Sequence, residues 1–370
     1  MSQRLIDLPL PDSRGIQSNL KSNLENNHLA HTILLSGNQG GTQFLHALRL
    51  AGEILKFHAS PSKQDATANK ALQLIHPDLH FLFPLFKKDQ TINEEMEKFR
   101  SAVLGNPFLD LSAWSKAQKA VGKLPTIYRN SVHSIIHKLG LKPYEGNARV
   151  AIVWLAEYLG QNGNVLLKIL EEPPKNTYFI LVSENADNII STVLSRCQRI
   201  QIPRLTMDEM EEVVRSMVDS ESNHFSDLLY AAEGNVNYVL QNINEHNYSD
   251  TQLFRTWMQS CYRQRFDELI KVNEEVAAQK KDGVLRFLHN GQRIFRGCLS
   301  ARLNPNKPLM FPQQNHEFIK KLANTISLSS YPELSQLFNE HIYQIERNLN
   351  PKIVLLNLAT QTGNIIRNVD

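Results

Sequence analysis

A short apolar run, a glycine-rich turn and an amphipathic segment follow one another between His31 and Phe57, and this succession constrains the fold more than any other stretch. His31-Thr32-Ile33-Leu34-Leu35-Ser36 has the length and content of a buried strand, and Phe44 to Phe57 carries apolar residues at helical spacing. Between them lies Gly37-Asn38-Gln39-Gly40-Gly41-Thr42-Gln43-Phe44. Strand, glycine turn and helix in this order are the setting of a phosphate-binding loop. In a working G-x-x-x-x-G-K-[ST] loop the second glycine lets the backbone approach the ligand, the lysine reaches the β and γ phosphates, and the hydroxyl holds magnesium. Here those three places hold Thr42, Gln43 and Phe44. Cation and metal ligand are lost together, so no ATP hydrolysis is expected at this loop. Gly37, Gly40, Gly41, Thr42 and Gln43 mark a degenerate nucleotide site, whose backbone N–H groups at a helix start still leave room for an anion.

The chain has 370 residues, a length suited to two or three domains. Forty basic against 37 acidic side chains leave a net charge of only +3. That excludes a strong uniform field driving binding to DNA or a membrane surface. No run approaches the roughly 20 apolar residues of a membrane span, and the segment Met1 to Asp12 lacks the apolar core of a signal peptide. Cys197, Cys261 and Cys298 are odd in number and widely spaced, which argues against a disulfide framework and for the cytoplasm.

Through residue 203 strand-like runs alternate with helical patterns: Asp78 to Phe83, Arg149 to Trp154, Thr177 to Val182 and Arg199 to Ile202. Such alternation predicts an α/β domain with a mostly parallel sheet over 1–203. Beyond Pro203 strand signals stop. Helical stretches at Thr206 to Val218, Phe225 to Ala232 and Asn235 to Ile243, broken by Glu233-Gly234, suggest a small helical lid over 204–248. Residues 249–370 read as an all-helical domain, with a proline-rich break from Leu303 to Pro308 and a stop at Asn350-Pro351. No internal repeat or low-complexity tract is evident.

Asn164-Val165-Leu166-Leu167-Lys168-Ile169-Leu170-Glu171 reads as a helix that stops at Pro173-Pro174, and Leu194-Ser195-Arg196-Cys197-Gln198 as a short turn presenting an arginine. Together with the strand, glycine turn and helix at the front, these segments resemble the AAA+ subunits of the bacterial DNA polymerase III clamp loader, over about Gly15 to Ile366. The resemblance implies an AAA+ (P-loop NTPase-like) core, a lid and a C-terminal collar domain used for oligomerisation. In the hydrolysing gamma and tau subunits an acidic pair ends the central strand. Here Trp154 and Leu155 stand in its place, and Glu157 reads as a solvated helix residue. Asn237 stands where the lid would carry an ATP-sensing arginine.

These losses point, within the family, to the non-hydrolysing delta-prime type. The resemblance implies gamma or tau ATPase subunits and delta as partners, with the sliding clamp and primer-template DNA reached indirectly. It also assigns Arg196 a role: the arginine of the Ser195-Arg196-Cys197 turn would reach a neighbour's ATP site in trans and stabilise charge on the transferring phosphoryl group. The same residue could instead pair with an acid on its own sheet. An ATP-binding or weakly hydrolysing protein of gamma or tau type is the alternative, and a DNA-binding module acting alone is a third, disfavoured by the near-neutral charge.

No cofactor or metal is expected. Relatives commonly carry a four-cysteine zinc module where this chain runs from His58 to Lys70 without a cysteine. The pairs His133/His137 and His76/His80 lack third and fourth ligands. Cys197 has no evident base beside it and reads as a packing residue.

Overall fold

The computed structural model of the chain describes residues 4–12, 14–218, 225–243, 250–305, 309, 311 and 313–367. Helices α1 (Arg4–Asp7) and α2 (Ile16–Glu25) precede strand β1 (Thr32–Ser36), and the glycine turn leads from it into α3 (Gln43–Phe57). Helix α4 (Gln64–Leu72) is followed by β2 (Leu79–Leu82). Helices α5 (Ile92–Gly105), α6 (Leu111–Ala117) and α7 (Arg129–Gly140) separate β2 from β3 (Arg149–Trp154). Helix α8 (Leu167–Glu171) precedes β4 (Thr177–Ser183), and α9 (Ser191–Leu194) precedes β5 (Gln198–Gln201).

The five strands form one parallel sheet in the order β2-β3-β4-β1-β5. Register pairs Leu34 with Leu181 and Ile152 with both Phe81 and Ile180. Every residue of β1, β3 and β4 is buried. Strands covered by helices on both faces need continuous apolar runs rather than alternation, and these three have them. At one edge β5 is largely exposed and correspondingly polar. One face of the sheet packs Ala151, Val153, Phe179 and Leu181 against Ile135, Leu139 and Leu166. The other gathers an aromatic cluster around Phe99, stacked on Phe83 at 4.2 Å and touching Trp114 and Trp154 at 5.4 and 5.3 Å between ring centroids.

Local chemistry explains where several helices begin. Thr91 and Thr206 each open a reciprocal capping box, with Glu94 before α5 and Glu209 at the start of α10 (Met207–Met217). Asp110 caps α6 through Ala113 N–H. Where a zinc module was considered, a 3-10 turn at Pro61–Lys63 and then α4 occupy the chain. The predicted helix from Asn164 is broken: a 3-10 segment runs over Ala156–Leu166, with Gly160 at φ 48°, and only Leu167–Glu171 is α-helical.

After α10 come α11 (Phe225–Ala232), α12 (Val236–Asn242), α13 (Asp250–Arg263), α14 (Phe266–Ala278), α15 (Lys280–Leu303), α16 (Gln313–Thr325), α17 (Ser330–Glu346) and α18 (Pro351–Arg367). The expected α/β core with a parallel sheet and the helical C-terminal part are both borne out. The chain divides into two compact units, one of Met1–Ser220 with Ala232–Gln241, the other of Glu221–Ala231 with Asn242–Asp370. The 248/249 boundary and Asn306 to Pro308 of the proline-rich break lie outside the described residues. The second unit has its own core, in which Phe254, Trp257, Phe287 and Phe338 interlock. Within it Trp257 Nε1 donates to Asn273 Oδ1 at 2.9 Å, so the indole is buried with its polar atom satisfied. Among the described residues no helix is long and apolar enough to cross a membrane.

Candidate functional site

The glycine turn lies where β1 ends beside β4 and β5, at the carboxyl ends of the central strands, the usual place for a ligand crevice in an open parallel sheet. Its hollow is filled by the protein itself. Gln43, at the place of the lysine, folds back so that Nε2 donates to Asn38 O at 2.9 Å. A Cβ on either Gly37 or Gly41 would stand 2.7 Å from Gln43 Oε1, so that oxygen sits between the two glycines. Gln43 Oε1 is buried and accepts no hydrogen bond. A carbonyl oxygen thus fills the hollow between the two glycines and presents a partial negative charge there.

The glycine amides are also engaged. Gly37 N donates to Ser183 O at 3.1 Å, Gly41 N to Asn38 O at 3.1 Å and Gly40 N to Glu184 Oε1 at 3.3 Å. Burial, reinforced by Asp110 and Glu157, pushes the Glu184 carboxyl up to about 8. Asp110 accepts from Gln39 Nε2 at 3.0 Å. Three carboxyl groups therefore influence the place where a working loop concentrates positive charge.

From the other side the segment before α12 closes on the loop. Val236 N donates to Gly40 O at 3.0 Å, and Asn38 Nδ2 donates to Gly234 O at 3.1 Å. Gly40 has φ +61°, and a Cβ there would lie 1.9 Å from Asn235 Oδ1. Only glycine fits this approach. Asn235 Oδ1 itself accepts from Tyr238 N at 2.8 Å and so caps α12. Asn237, expected from the sequence to stand where an ATP-sensing arginine would, is buried, and its Oδ1 accepts from Asn106 Nδ2 at 2.5 Å and Gln241 Nε2 at 3.1 Å.

At the end of β3, Trp154 and Leu155 are both buried. Leu155 adopts φ 55°, a left-handed conformation that turns the chain sharply after the strand. Glu157 follows, and its place differs from the solvated position expected of it. Its Oε1 accepts from Glu184 N at 3.0 Å and Asn185 N at 3.3 Å, while Oε2 is buried without a partner. Burial raises this carboxyl above the ordinary range despite those hydrogen bonds. The turn at Leu155 is what carries Glu157 beneath the end of β4. Its carboxylate serves the backbone there.

Arg196 stands just beyond α9, partly exposed. Its Nε donates to Glu171 Oε1 at 2.6 Å, its Nη2 also pairs with Glu171, and its Nη1 donates to Thr192 O at 2.7 Å and Ser195 Oγ at 3.2 Å. Glu171, at the end of α8, is about half exposed. An acid does pair with this arginine, but from a helix rather than the sheet. Cys197 Sγ donates to Val193 O at 3.2 Å, and burial pushes its thiol up to about 11, the condition of a packing residue and not of a nucleophile.

His133 and His137 are exposed on α7. His76 is buried, with Nδ1 accepting from Asp78 N at 3.1 Å. Among the described residues no three His, Cys, Asp or Glu side chains gather as metal ligands do. Sequence reasoning missed Glu184, Asn235 and Asp110. Glycine at position 40 is the local signal in the sequence that the chain there turns left-handed or is approached closely.

Residues 13–206, just over half of the chain, match the family model described as DNA polymerase III, delta subunit. The chain is 26% identical over 222 residues to the DNA polymerase III subunit delta' of Bacillus subtilis, covering 59% of this chain and 55% of that protein. It is 27% identical over 177 residues to the subunit of the same name from Haemophilus influenzae, covering 47% and 52% respectively. The chain thus spans about half the length of these curated relatives. A solved structure described as a DNA polymerase III, gamma subunit-related protein from Thermotoga maritima aligns over 95% of this chain and 99% of its own, at 14% identity and a TM-score of 0.44.

Proposed function

This chain belongs to the DNA polymerase III delta subunit family, and we propose that it serves there as a delta-prime-type clamp-loader subunit that does not hydrolyse ATP. Its work is architectural: it joins the gamma or tau ATPase subunits and delta, holds its place through the helical residues 249–370, and offers Arg196 to a neighbour's nucleotide. Through them it contributes to loading the sliding clamp onto primer-template DNA in the cytoplasm. In this reading residues 1–203 are the AAA+ core and 204–248 the lid.

The observation that carries the reading is the filled loop. Gln43 Oε1 lies between Gly37 and Gly41, and Glu184 accepts from the Gly40 amide. A triphosphate entering here would have to displace a buried side chain, break three amide hydrogen bonds and meet carboxyl groups instead of a lysine. The alternative, an ATP-binding or weakly hydrolysing protein of gamma or tau type, requires that hollow to be open.

Arg196 supports the reading from the opposite side. Its guanidinium is accessible, and its Glu171 partner is half exposed, so exchanging that carboxylate for a phosphate gives up an ion pair worth only about 0–1 kcal/mol. Arginine fingers contribute about 10³–10⁵ in rate at the phosphoryl group they reach. The test is clamp- and DNA-stimulated ATP turnover by a loader reconstituted from the same organism's ATPase and delta subunits, with wild-type chain or Arg196→Ala. Equal assembly with collapsed turnover in the variant is the expected result. A wild-type chain that neither joins the complex nor alters its turnover would overturn the assignment.

A further inference from the structure

Two helices of the first unit, α5 and α7, pack beside the edge strand β2 and leave between them a cleft of about 160 Å³. Helices that cover a sheet ordinarily meet through apolar side chains. Here His80 of β2, Asn93 and Arg100 of α5, and Ser131, Ser134 and Lys138 of α7 converge on one space. The spacing is regular: Ser131, Ser134 and Lys138 lie at i, i+3 and i+7 and therefore share one face of α7.

The lining holds two firm cations and no carboxylate. Arg100 uses Nε on Leu74 O at 3.2 Å, and its two terminal nitrogens have no partner among the described residues. Lys138 Nζ meets only the neutral Asn93 Oδ1, at 2.8 Å. Among the described residues nothing hydrogen-bonds the Ser131 hydroxyl, which is left to face the cleft. Burial above all, and then Lys138, pushes His80 down to about 4, so its ring is neutral and keeps one N–H to donate. Two acids flank the cleft: Asp78 has both oxygens committed to the backbone, on Tyr144 N at 2.6 Å and Glu145 N at 2.8 Å, and Glu145, 3.8 Å from His76 Nε2, is paired with Lys70 at 2.7 Å.

Two cations with donors to spare, facing one half-open cleft that has no carboxylate in its lining, gain when a counter-charge enters. We propose that the α5–α7 cleft is a binding site for a phosphate group, held between Arg100 and Lys138 with Ser131, Ser134 and His80 as further donors. Two cations and a ring of neutral donors match a doubly charged tetrahedral oxyanion better than a single carboxylate. The cleft volume admits one such group and several waters. The site is separate from the glycine turn, shares none of the residues that fill it, and stands whether or not the clamp-loader reading does.

The test is a titration of the full chain with inorganic phosphate at constant ionic strength, read by the NMR signals of the His80 ring. A saturable shift is expected, about tenfold weaker in Lys138→Gln and likewise in Arg100→Gln, with chloride at equal ionic strength giving none. A short single-stranded oligonucleotide separates the two sources of phosphate. If it displaces inorganic phosphate from His80, the natural occupant is a nucleic-acid backbone; if not, it is a free phosphorylated compound. A shift that stays linear in concentration, or an affinity unchanged in Lys138→Gln with the fold intact, overturns the proposal.

Discussion

The rings of Phe44 and Trp154 stand 5.9 Å apart between centroids, tilted by 52°, and both side chains are buried. In the clamp-loader reading proposed above, one stands in the place of the hydroxyl and the other in the place of the carboxylate that together hold magnesium. Both rings belong to the aromatic core that continues through Phe99 to Trp114. Such a pair contributes about 0.5–1.5 kcal/mol beyond the area it buries, so these two side chains stabilise the core where a metal site would need polar ligands.

Introducing metal- and phosphate-binding residues at these positions should therefore cost stability without creating a site. Trp154→Asp removes a large buried ring and leaves a charge without a partner, for an expected loss of about 3–5 kcal/mol in urea unfolding. The triple variant Gln43→Lys, Phe44→Thr, Trp154→Asp should show no magnesium-dependent binding of fluorescent ATP, because Asn235 and Glu184 still close the loop. A folded triple variant that binds magnesium-ATP would contradict this account.

The contact of Gly40 with Asn235 gives a second test. Gly40→Ala places a Cβ 1.9 Å from Asn235 Oδ1 and on a backbone with φ +61°, so a loss of at least about 2 kcal/mol is expected. In the double variant with Asn235→Ala most of the steric part should vanish, leaving the 3.0 Å approach to Asn237 Cβ and the left-handed strain of about 1 kcal/mol. Strictly additive losses in a double-mutant cycle would show that the two residues do not meet.

How far these features could be read in the sequence depended on the range of the forces involved. Strands β1, β3 and β4 were legible because burial on both faces demands continuous apolar runs, and the runs are there in Leu34, Ile152 and Phe179. The loss of the phosphate loop was equally plain, since Gln43 and Phe44 replace residues with fixed roles. What replaced it was not legible. Asn38 meets Gly234 across 196 residues, and Gly40 meets Glu184 across 144; no local pattern encodes such pairings. Glu157 was misplaced for a related reason. A carboxylate after a strand reads as solvated unless the left-handed turn at Leu155 is known.

Glu184 makes stability depend on pH. Its folded-state carboxyl is raised from an ordinary 4.5 to about 8. Below pH 4.5 it is protonated in both folded and unfolded chains and contributes fully. As pH rises toward 8 the unfolded chain ionises first, so stability falls across that window. Allowing for partial solvent contact, the loss should be about 1–2 kcal/mol. Glu184→Gln keeps an acceptor for Gly40 N and should flatten the slope, raising stability at pH 8 relative to wild type. Parallel curves for the two proteins between pH 5 and 8, measured by urea midpoints, would mean that Glu184 ionises normally.

The Arg196–Glu171 pair separates a structural arginine from an available one. Both side chains keep substantial solvent contact, 30% and 49%, and exposed ion pairs contribute about 0–1 kcal/mol. Arg196→Ala and Glu171→Gln should therefore each shift the unfolding midpoint by no more than that amount. If Arg196 works on a neighbour's nucleotide, their effects on loader turnover should diverge: Arg196→Ala abolishes the contribution, while Glu171→Gln frees the guanidinium and leaves turnover equal or higher. A loss of several kcal/mol in Arg196→Ala, matched by Glu171→Gln, would instead make the pair a structural clamp between α8 and the turn after α9. Turnover lost equally in both variants would lead to the same conclusion.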